Sequence, residues 1–241
     1  MHGIETLKER IRNDALVIGV STPMNASLDR LKQVLEQDDY GFVSVDSQHG
    51  AFNEERLVEF CGKAADLGMP VHFRIKHTRH AYLIGNLLDL GPSIIEVPQV
   101  EEESTVAEAV DYFYYPQFGK RSWGGAARAQ VSELPDRLDY AAWWNNHGVL
   151  WMQVESLRSV TGALKLAKPG VDCLSWGPAD LSFDREAHPD HPLKTDDDCV
   201  AHVAKLLKNS PTQLCIRSYD PALRTRYRDM GATVLLERPK V

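Results

Sequence analysis

The chain has 241 residues, of which 43% are hydrophobic and 25% are charged, and its net charge is −7. This composition is typical of a globular protein and excludes a disordered chain. The excess of acidic residues argues against a nucleic-acid partner, because nucleic-acid-binding proteins present basic surfaces to the phosphates. The chain has no apolar run of the roughly 18 residues that a membrane helix needs and no signal-peptide core, so we expect a cytoplasmic protein without a membrane partner.

Short apolar runs alternate along the chain with longer segments of helical periodicity. The runs predicted as strands are residues 15–20, 41–45, 71–74, 93–97, 149–154, 171–176, 213–217 and 232–236. The segments predicted as helices are residues 28–35, 54–67, 81–90, 104–110, 160–167, 199–207 and 221–230. A further apolar run, 112–115, continues a helical pattern and leads into a loop, so we do not predict it as a strand.

Eight apolar strands, each followed by a connection of helix length, predict an α/β protein with a parallel sheet closed into a (β/α)8 TIM barrel. We therefore expect residues 1–241 to form one domain. An open doubly wound sheet is the alternative, but none of the strands is followed by the glycine-rich phosphate-binding motifs of that fold. Only a few residues follow the eighth strand, so we expect the last barrel helix to be missing.

Polar side chains recur where the predicted strands end, which is where the active site of a TIM barrel lies. They are Asp46 and His49 after the second strand, Arg74 at the third, Gln153 and Glu155 at the fifth, and Asp180 after the sixth. Each has an ordinary structural explanation when taken alone; Asp180, for example, suits the N-cap of a helix. Their convergence at one end of a barrel favours a catalytic site for a small anion.

The types of these residues indicate what that site binds. Two carboxylates without thiolates or clustered imidazoles suit a hard divalent cation such as Mg²⁺ or Mn²⁺. Arg74 suits a carboxylate or a developing oxyanion, because its planar guanidinium presents several donors. The turn formed by Gly177, Pro178 and Ala179 would direct backbone N–H groups towards an anion at a helix start.

These segments also resemble a known family. Val45-Asp46-Ser47-Gln48-His49-Gly50, Arg74 at a strand end, Gln153-Val154-Glu155 and Gly177-Pro178-Ala179-Asp180-Leu181-Ser182 together resemble the class II, metal-dependent pyruvate aldolases of the HpcH/HpaI aldolase/citrate lyase family. The resemblance extends from about residue 16 to residue 236. Its most specific part is the Gly-Pro-Ala-Asp-Leu-Ser segment with Gln-x-Glu upstream.

The resemblance implies a role for each residue. Glu155 and Asp180 would bind the divalent metal, Mg²⁺ or Mn²⁺ with Co²⁺ as a third candidate. The substrate 2-oxo acid would be held by the turn of Gly177, Pro178 and Ala179, through the backbone amides of Ala179 and Asp180, and Gln153 would lie beside the metal. Arg74 would stabilise the enolate oxygen, and His49, oriented by Asp46, would act as the base.

The implied reaction is the reversible cleavage of a 4-hydroxy-2-oxo acid into pyruvate and an aldehyde by a carbon–carbon lyase that forms homo-oligomers. One alternative is a decarboxylase of oxaloacetate, or a biosynthetic carbon–carbon bond-forming enzyme, that uses the same site. Another is a degenerate barrel that only binds a ligand.

Besides the expected lack of the last barrel helix, the chain departs from the family pattern at two places. Ser47-Gln48 replaces the usual Gly-Glu before the histidine, and the segment 75–80, Ile-Lys-His-Thr-Arg-His, is more basic than usual. The basic segment is either a solvated loop or a cationic rim that selects an acidic or phosphorylated second substrate.

Overall fold

Eight parallel strands close into a barrel in the computed structural model of this protein, which describes residues 5–240. Each strand pairs with its neighbours in chain order, and β8 pairs with β1. The strands are β1 (Val17–Ser21), β2 (Phe42–Asp46), β3 (Val71–Arg74), β4 (Ile94–Val97), β5 (Val149–Val154), β6 (Cys173–Trp176), β7 (Gln213–Ile216) and β8 (Ala232–Glu237). The predicted (β/α)8 barrel is confirmed, and each predicted strand overlaps an observed one.

Helices surround the barrel. They are α1 (Leu7–Arg12), α2 (Leu28–Leu35), α3 (Glu54–Asp66), α4 (Ile84–Leu88), α5 (Glu103–Phe113), α6 (Arg137–His147), α7 (Leu157–Thr161), α8 (Ala163–Leu166), α9 (Pro178–Ala187), α10 (Asp196–Leu207) and α11 (Arg224–Asp229). Two 3-10 turns, Thr78–Leu83 and Pro221–Leu223, precede α4 and α11. None of these helices is long and apolar enough to cross a membrane.

The structure refines several of the predicted elements. The prediction that the run 112–115 is not a strand is confirmed. Its first residues complete α5. The predicted helix 160–167 is wrong as a single element: Gly162 ends α7 and begins α8. Helices α1, α6 and α9 are not among the predicted segments, although a helix start was expected at the turn that begins α9. Within the described residues no helix follows β8.

Apolar side chains fill the lower part of the barrel. Phe42 of β2 meets Trp151 of β5 edge to face, with ring centroids 5.4 Å apart. Gly19 of β1 leaves room for this ring, since a Cβ there would lie 2.0 Å from it. A second and larger apolar core lies between the strands and the helices. The lower barrel is therefore filled by side chains, which leaves the carboxyl ends of the strands as the expected location of a ligand site.

Candidate active site at the carboxyl end of the barrel

The predicted site residues lie where β2, β3, β5 and β6 end. Asp46 and Arg74 are the last residues of β2 and β3, and they are direct neighbours in the register of the two strands. Gln153 is near the end of β5, and Glu155 follows that strand. Asp180 lies in the first turn of α9, directly after β6. The barrel thus collects residues that are more than 100 positions apart in the chain.

Arg74 is held by two side chains. Its Nε and Nη2 donate to the two carboxylate oxygens of Asp46 over 2.7 and 2.5 Å, and its Nη1 donates to Oε1 of Gln153 over 3.1 Å. Burial raises the pKa of Asp46, but the hydrogen bonds and the charge of Arg74 outweigh burial and lower that pKa below its usual value. A guanidinium has five N–H donors, so two remain for a ligand.

The expected pairing of Asp46 with His49 is not what the structure shows. The Asp46 carboxylate accepts from Arg74 and from the backbone N–H of Gln48. It turns to Arg74 because the strand register places the two side by side. His49 is exposed on the tight turn after β2, where a Cβ on Gly50 would lie 2.4 Å from the carbonyl oxygen of Asp46.

Glu155 and Asp180 form a carboxylate pair. Glu155 is only 5% exposed, and its Oε1 accepts from the backbone N–H of Gln99 over 2.6 Å. Gln99 has a φ of 51°, a left-handed conformation that is rare outside glycine. Burial, together with the neighbouring Asp180 carboxylate, raises the pKa of Glu155 to about 8. The pair therefore requires either a shared proton or a cation.

Gly177 joins the two groups of side chains. A Cβ at this position would lie 2.5 Å from Oε2 of Glu155 and 2.9 Å from Nε2 of Gln153. Gly177 is also the N-cap of α9, and its lack of a side chain leaves the first turn of the helix without a side-chain cap. Asp180 is therefore not the N-cap, and this structural alternative for Asp180 is wrong. The backbone N–H groups of the first turn are orphan donors suited to an anion.

The donor set fits a divalent cation. Glu155 and Asp180 supply oxygen ligands, which Mg²⁺ and Mn²⁺ prefer, and a cation would relieve the repulsion that raises the pKa of Glu155. Within residues 5–240 no cluster of three or more His, Cys, Asp and Glu side chains is placed to hold a metal. A metal bound only by the Glu155 and Asp180 carboxylates would keep free coordination positions for water and substrate.

A cavity of about 570 Å³ contains Glu155 and Asp180. It extends from this pair to the 3-10 turn that follows β3 and to the loop that follows β4. Its lining residues are His77, Thr78, Arg79, Gln99, Glu101, Glu102, Thr105, Glu155, Ser156, Ser159 and Asp180. The volume lies in the range of small-molecule sites.

A buried polar network below Arg74 was not predicted as part of the site. Glu96 of β4 accepts hydrogen bonds from Ser175 and Arg217, and its Oε2 lies 3.3 Å from Nε2 of His72. Ser44 Oγ is 2.8 Å from His72 Nδ1. The contacts Ser44–His72–Glu96 have the connectivity of a hydrolytic triad. All three residues are buried, however, so a substrate cannot reach them.

The charges of this network follow from its partners. Burial raises the pKa of Glu96, but the charge of Arg217 and the contact with His72 lower it well below the usual range. Burial lowers the pKa of His72, which keeps the imidazole neutral. A signal was present in the sequence, because His72, Glu96 and Arg217 are polar residues within or at the end of apolar strand runs.

Comparisons with known proteins identify the family of this chain. The family model described as HpcH/HpaI aldolase/citrate lyase matches residues 59–196, so the chain belongs to this family. The expected resemblance to an aldolase family of carbon–carbon lyases is thus confirmed.

Individual relatives carry aldolase names. A hydroxypyruvate/pyruvate aldolase of Roseovarius nubinhibens is 32% identical over 64% of this chain and 60% of its own length. Another protein of that name, from Paraburkholderia phytofirmans, is 25% identical over 93% of this chain and 87% of its own length. The crystal structure of an HpcH/HpaI aldolase from Desulfitobacterium hafniense has the same fold, with a TM-score of 0.81 at 22% identity, over 98% of this chain and 90% of that chain.

Proposed function

We propose that this chain is a metal-dependent aldolase that cleaves or forms 4-hydroxy-2-oxo acids by way of the enolate of pyruvate. The observation that carries the proposal is that Gln153 and Gly177 connect Arg74, which has two free donors, to the Glu155 and Asp180 carboxylates at the open end of one barrel. Aldol cleavage leaves negative charge on the oxygen at C2, and this combination is suited to stabilise that charge. The aldolase names of the relatives agree with it.

Glu155 and Asp180 would hold the metal, which when bound would act as a Lewis acid on the 2-oxo acid. The N–H groups at the start of α9 would bind the substrate carboxylate, at Ala179 and Asp180. The two free N–H donors of Arg74 would stabilise the enolate oxygen. Asp46 and Gln153 would position Arg74, because their hydrogen bonds restrict its guanidinium to one orientation.

His49 is proposed as the base. In the cleavage direction it would take the proton of the 4-hydroxyl group as the C3–C4 bond breaks, the aldehyde leaves, and the enolate then gains a proton at C3 to become pyruvate. An exposed imidazole at the barrel mouth can exchange protons with water. Asp46 acts here through Arg74 rather than through His49.

Deuterium exchange tests the enolate chemistry. The protein is incubated with pyruvate in D₂O and Mg²⁺, Mn²⁺ or Co²⁺, with and without EDTA, and the methyl signal is followed by proton NMR. We expect exchange that depends on the metal and stops with EDTA. Oxaloacetate is tested in parallel, and rapid decarboxylation without aldol cleavage of any 4-hydroxy-2-oxo acid would favour the decarboxylase alternative.

Variants assign the roles. Glu155→Gln removes a ligand at nearly constant shape, so Mn²⁺ binding by calorimetry and methyl exchange should both be lost. Arg74→Lys should retain Mn²⁺ binding and slow exchange by about 10²- to 10³-fold, the usual loss for an oxyanion donor. Glu36→Gln is the control, since Glu36 is exposed at the end of α2 and should leave both measurements unchanged. A wild-type protein that neither binds metal nor exchanges pyruvate would overturn the proposal and favour a binding protein.

We also propose a cytoplasmic homo-oligomer that uses Mg²⁺ or Mn²⁺. The four cysteines are buried and free, which suits a reducing compartment. Large apolar side chains are exposed on the outer helices, with Phe183 71% and Leu138 62% exposed, which supports contacts between subunits. Calorimetry with each metal and sedimentation of the purified protein test these two points.

A further inference from the structure

Two segments of different charge line the cavity at the carboxylate pair. The basic wall is the turn after β3, with His77, Thr78 and Arg79. The acidic wall is the loop after β4, with Glu101 and Glu102. A substrate that extends from the carboxylate pair into this cavity therefore meets both walls.

The acidic wall is compensated by its own partners. Glu101 accepts from Ser156 Oγ over 2.5 Å, and its carboxylate lies 3.7 Å from the Arg158 guanidinium. Glu102 forms an ion pair with the same guanidinium. Arg158 thus compensates much of the charge that these two carboxylates present to the cavity.

The basic wall has no such compensation. None of the ion pairs formed by residues 5–240 includes Arg79. The turn that carries it is nevertheless ordered by hydrogen bonds: His77 Nδ1 accepts from the backbone N–H of Arg79 over 3.0 Å, and Thr78 Oγ1 donates to the carbonyl of Pro98 over 2.7 Å. The backbone of the turn is therefore held against the end of β4 while the guanidinium remains available.

We propose that Arg79 binds an anionic group, a carboxylate or a phosphate, on the aldehyde substrate, so that the enzyme prefers acidic aldehydes. This inference rests on the proposed aldolase function. Arg79 lines the same cavity as Glu155 and Asp180, where the 2-oxo acid would react. An uncompensated guanidinium there attracts anions and offers paired N–H donors to carboxylate or phosphate oxygens.

Matched aldehydes test the proposal. With pyruvate and the bound metal, succinic semialdehyde is compared with butyraldehyde, and glyceraldehyde 3-phosphate with glyceraldehyde. Each pair differs mainly in the anionic group, so the two pairs also distinguish a carboxylate from a phosphate. We expect wild-type kcat/KM to favour the anionic member of at least one pair, and Arg79→Gln to reduce kcat/KM for that aldehyde by about 10- to 100-fold, the range for hydrogen bonds to charged groups.

Arg228→Gln is the matched control. Arg228 is exposed near the end of α11, beside the start of β8 and so at the opposite end of the barrel. This variant should keep the wild-type preference, and thermal denaturation should show that both variants remain folded. An Arg79→Gln enzyme that retains the wild-type preference, or a wild type without any preference, would overturn the inference.

Methyl exchange of pyruvate without an aldehyde separates this result from the proposed function. Exchange in the wild type together with an unaltered preference in Arg79→Gln would reject the role of Arg79 and leave the aldolase proposal intact. A wild type without metal-dependent exchange would reject the aldolase proposal and this inference with it.

Discussion

Gly177 is the residue at which a single methyl group would alter the site. It lies between β6 and α9, and its missing side chain leaves room for the Glu155 carboxylate and the Gln153 amide. The same position caps α9 without blocking the N–H groups of its first turn. Gly177 therefore serves both the proposed metal ligand and the proposed anion site.

Gly177→Ala should weaken metal binding. The new Cβ would lie 2.5 Å from Glu155 Oε2, so the carboxylate must leave its present position. We expect the Kd for Mn²⁺ to rise by at least about 10-fold, which corresponds to about 1.4 kcal/mol. Calorimetric titration with Mn²⁺ measures this.

Gly62→Ala is the matched control for that substitution. A Cβ at Gly62, within α3, would meet nothing within 4 Å. The control should keep the Mn²⁺ affinity and gain up to about 1 kcal/mol of stability from helix propensity. Equal Mn²⁺ affinity in both alanine variants would show that the space at Gly177 does not control the site.

At the scale of elements, the long connection between α5 and α6 is ordered by two buried arginines. It spans residues 114–136 without a helix or strand, which is long for a compact domain. The Arg121 guanidinium lies 4.8 Å from the ring centroid of Tyr115 and 4.5 Å from that of Trp144. Arg128 lies 3.9 Å from that of Trp123. Cation–π contacts thus order this segment, which lacks the regular backbone hydrogen bonds of a helix or a sheet.

Arg121→Met should destabilise the whole domain. The side chain is fully buried, and its Nη2 donates to Oδ1 of Asp89 over 2.9 Å. Methionine fills similar space but leaves Asp89 without its cation, so we expect a loss of about 3 kcal/mol in the free energy of unfolding. Urea denaturation followed by tryptophan fluorescence measures it. The exposed Arg137→Met is the control, and an equal loss in the two variants would contradict the role of Arg121.

At the scale of the whole molecule, an ion-pair cluster reinforces the closure of the barrel. Arg224 of α11 donates to both carboxylate oxygens of Glu237, at the end of β8, over 2.6 and 2.7 Å. It also donates to Asp38, just before β2, over 2.8 Å. The cluster joins the last βα unit to the first, beside the β8–β1 pairing that completes the sheet.

This cluster predicts a pH dependence of stability. The hydrogen bond from Arg224 lowers the pKa of Asp38 to about 2. The pKa of an aspartate in the unfolded chain is about 3.9. The carboxylate therefore stabilises the fold above about pH 4, and its contribution is lost as the pH falls from about 4 towards 2. Asp38→Asn should lower the urea midpoint near pH 7, and its difference from wild type should narrow near pH 3.

The neighbouring exposed Asp39→Asn provides the reference for this titration. It should follow the wild-type midpoint across the pH range, because within the described residues Asp39 takes part in no ion pair. A difference between Asp38→Asn and wild type that is constant from pH 7 to pH 3 would exclude the proposed linkage.

The sequence by itself determined the barrel and most of the candidate site. Parallel strands covered on both faces are mostly apolar, and β3 and β5 were predicted with their observed bounds. Chain order then placed Arg74, Gln153, Glu155 and Asp180 at one end. This was predictable because all strands of such a barrel point the same way.

Only the tertiary structure decided which side chains pair. Asp46 has His49 three residues away and Arg74 28 residues away, and it bonds to Arg74 because the β2–β3 register sets those two positions side by side. The burial of Glu96 with Arg217, and the left-handed Gln99 that donates to Glu155, likewise depend on strands that are distant in the chain. Sequence periodicity predicts which face of a strand is buried. The hydrogen-bond partners of the side chains follow instead from the register of the strands and the closure of the barrel.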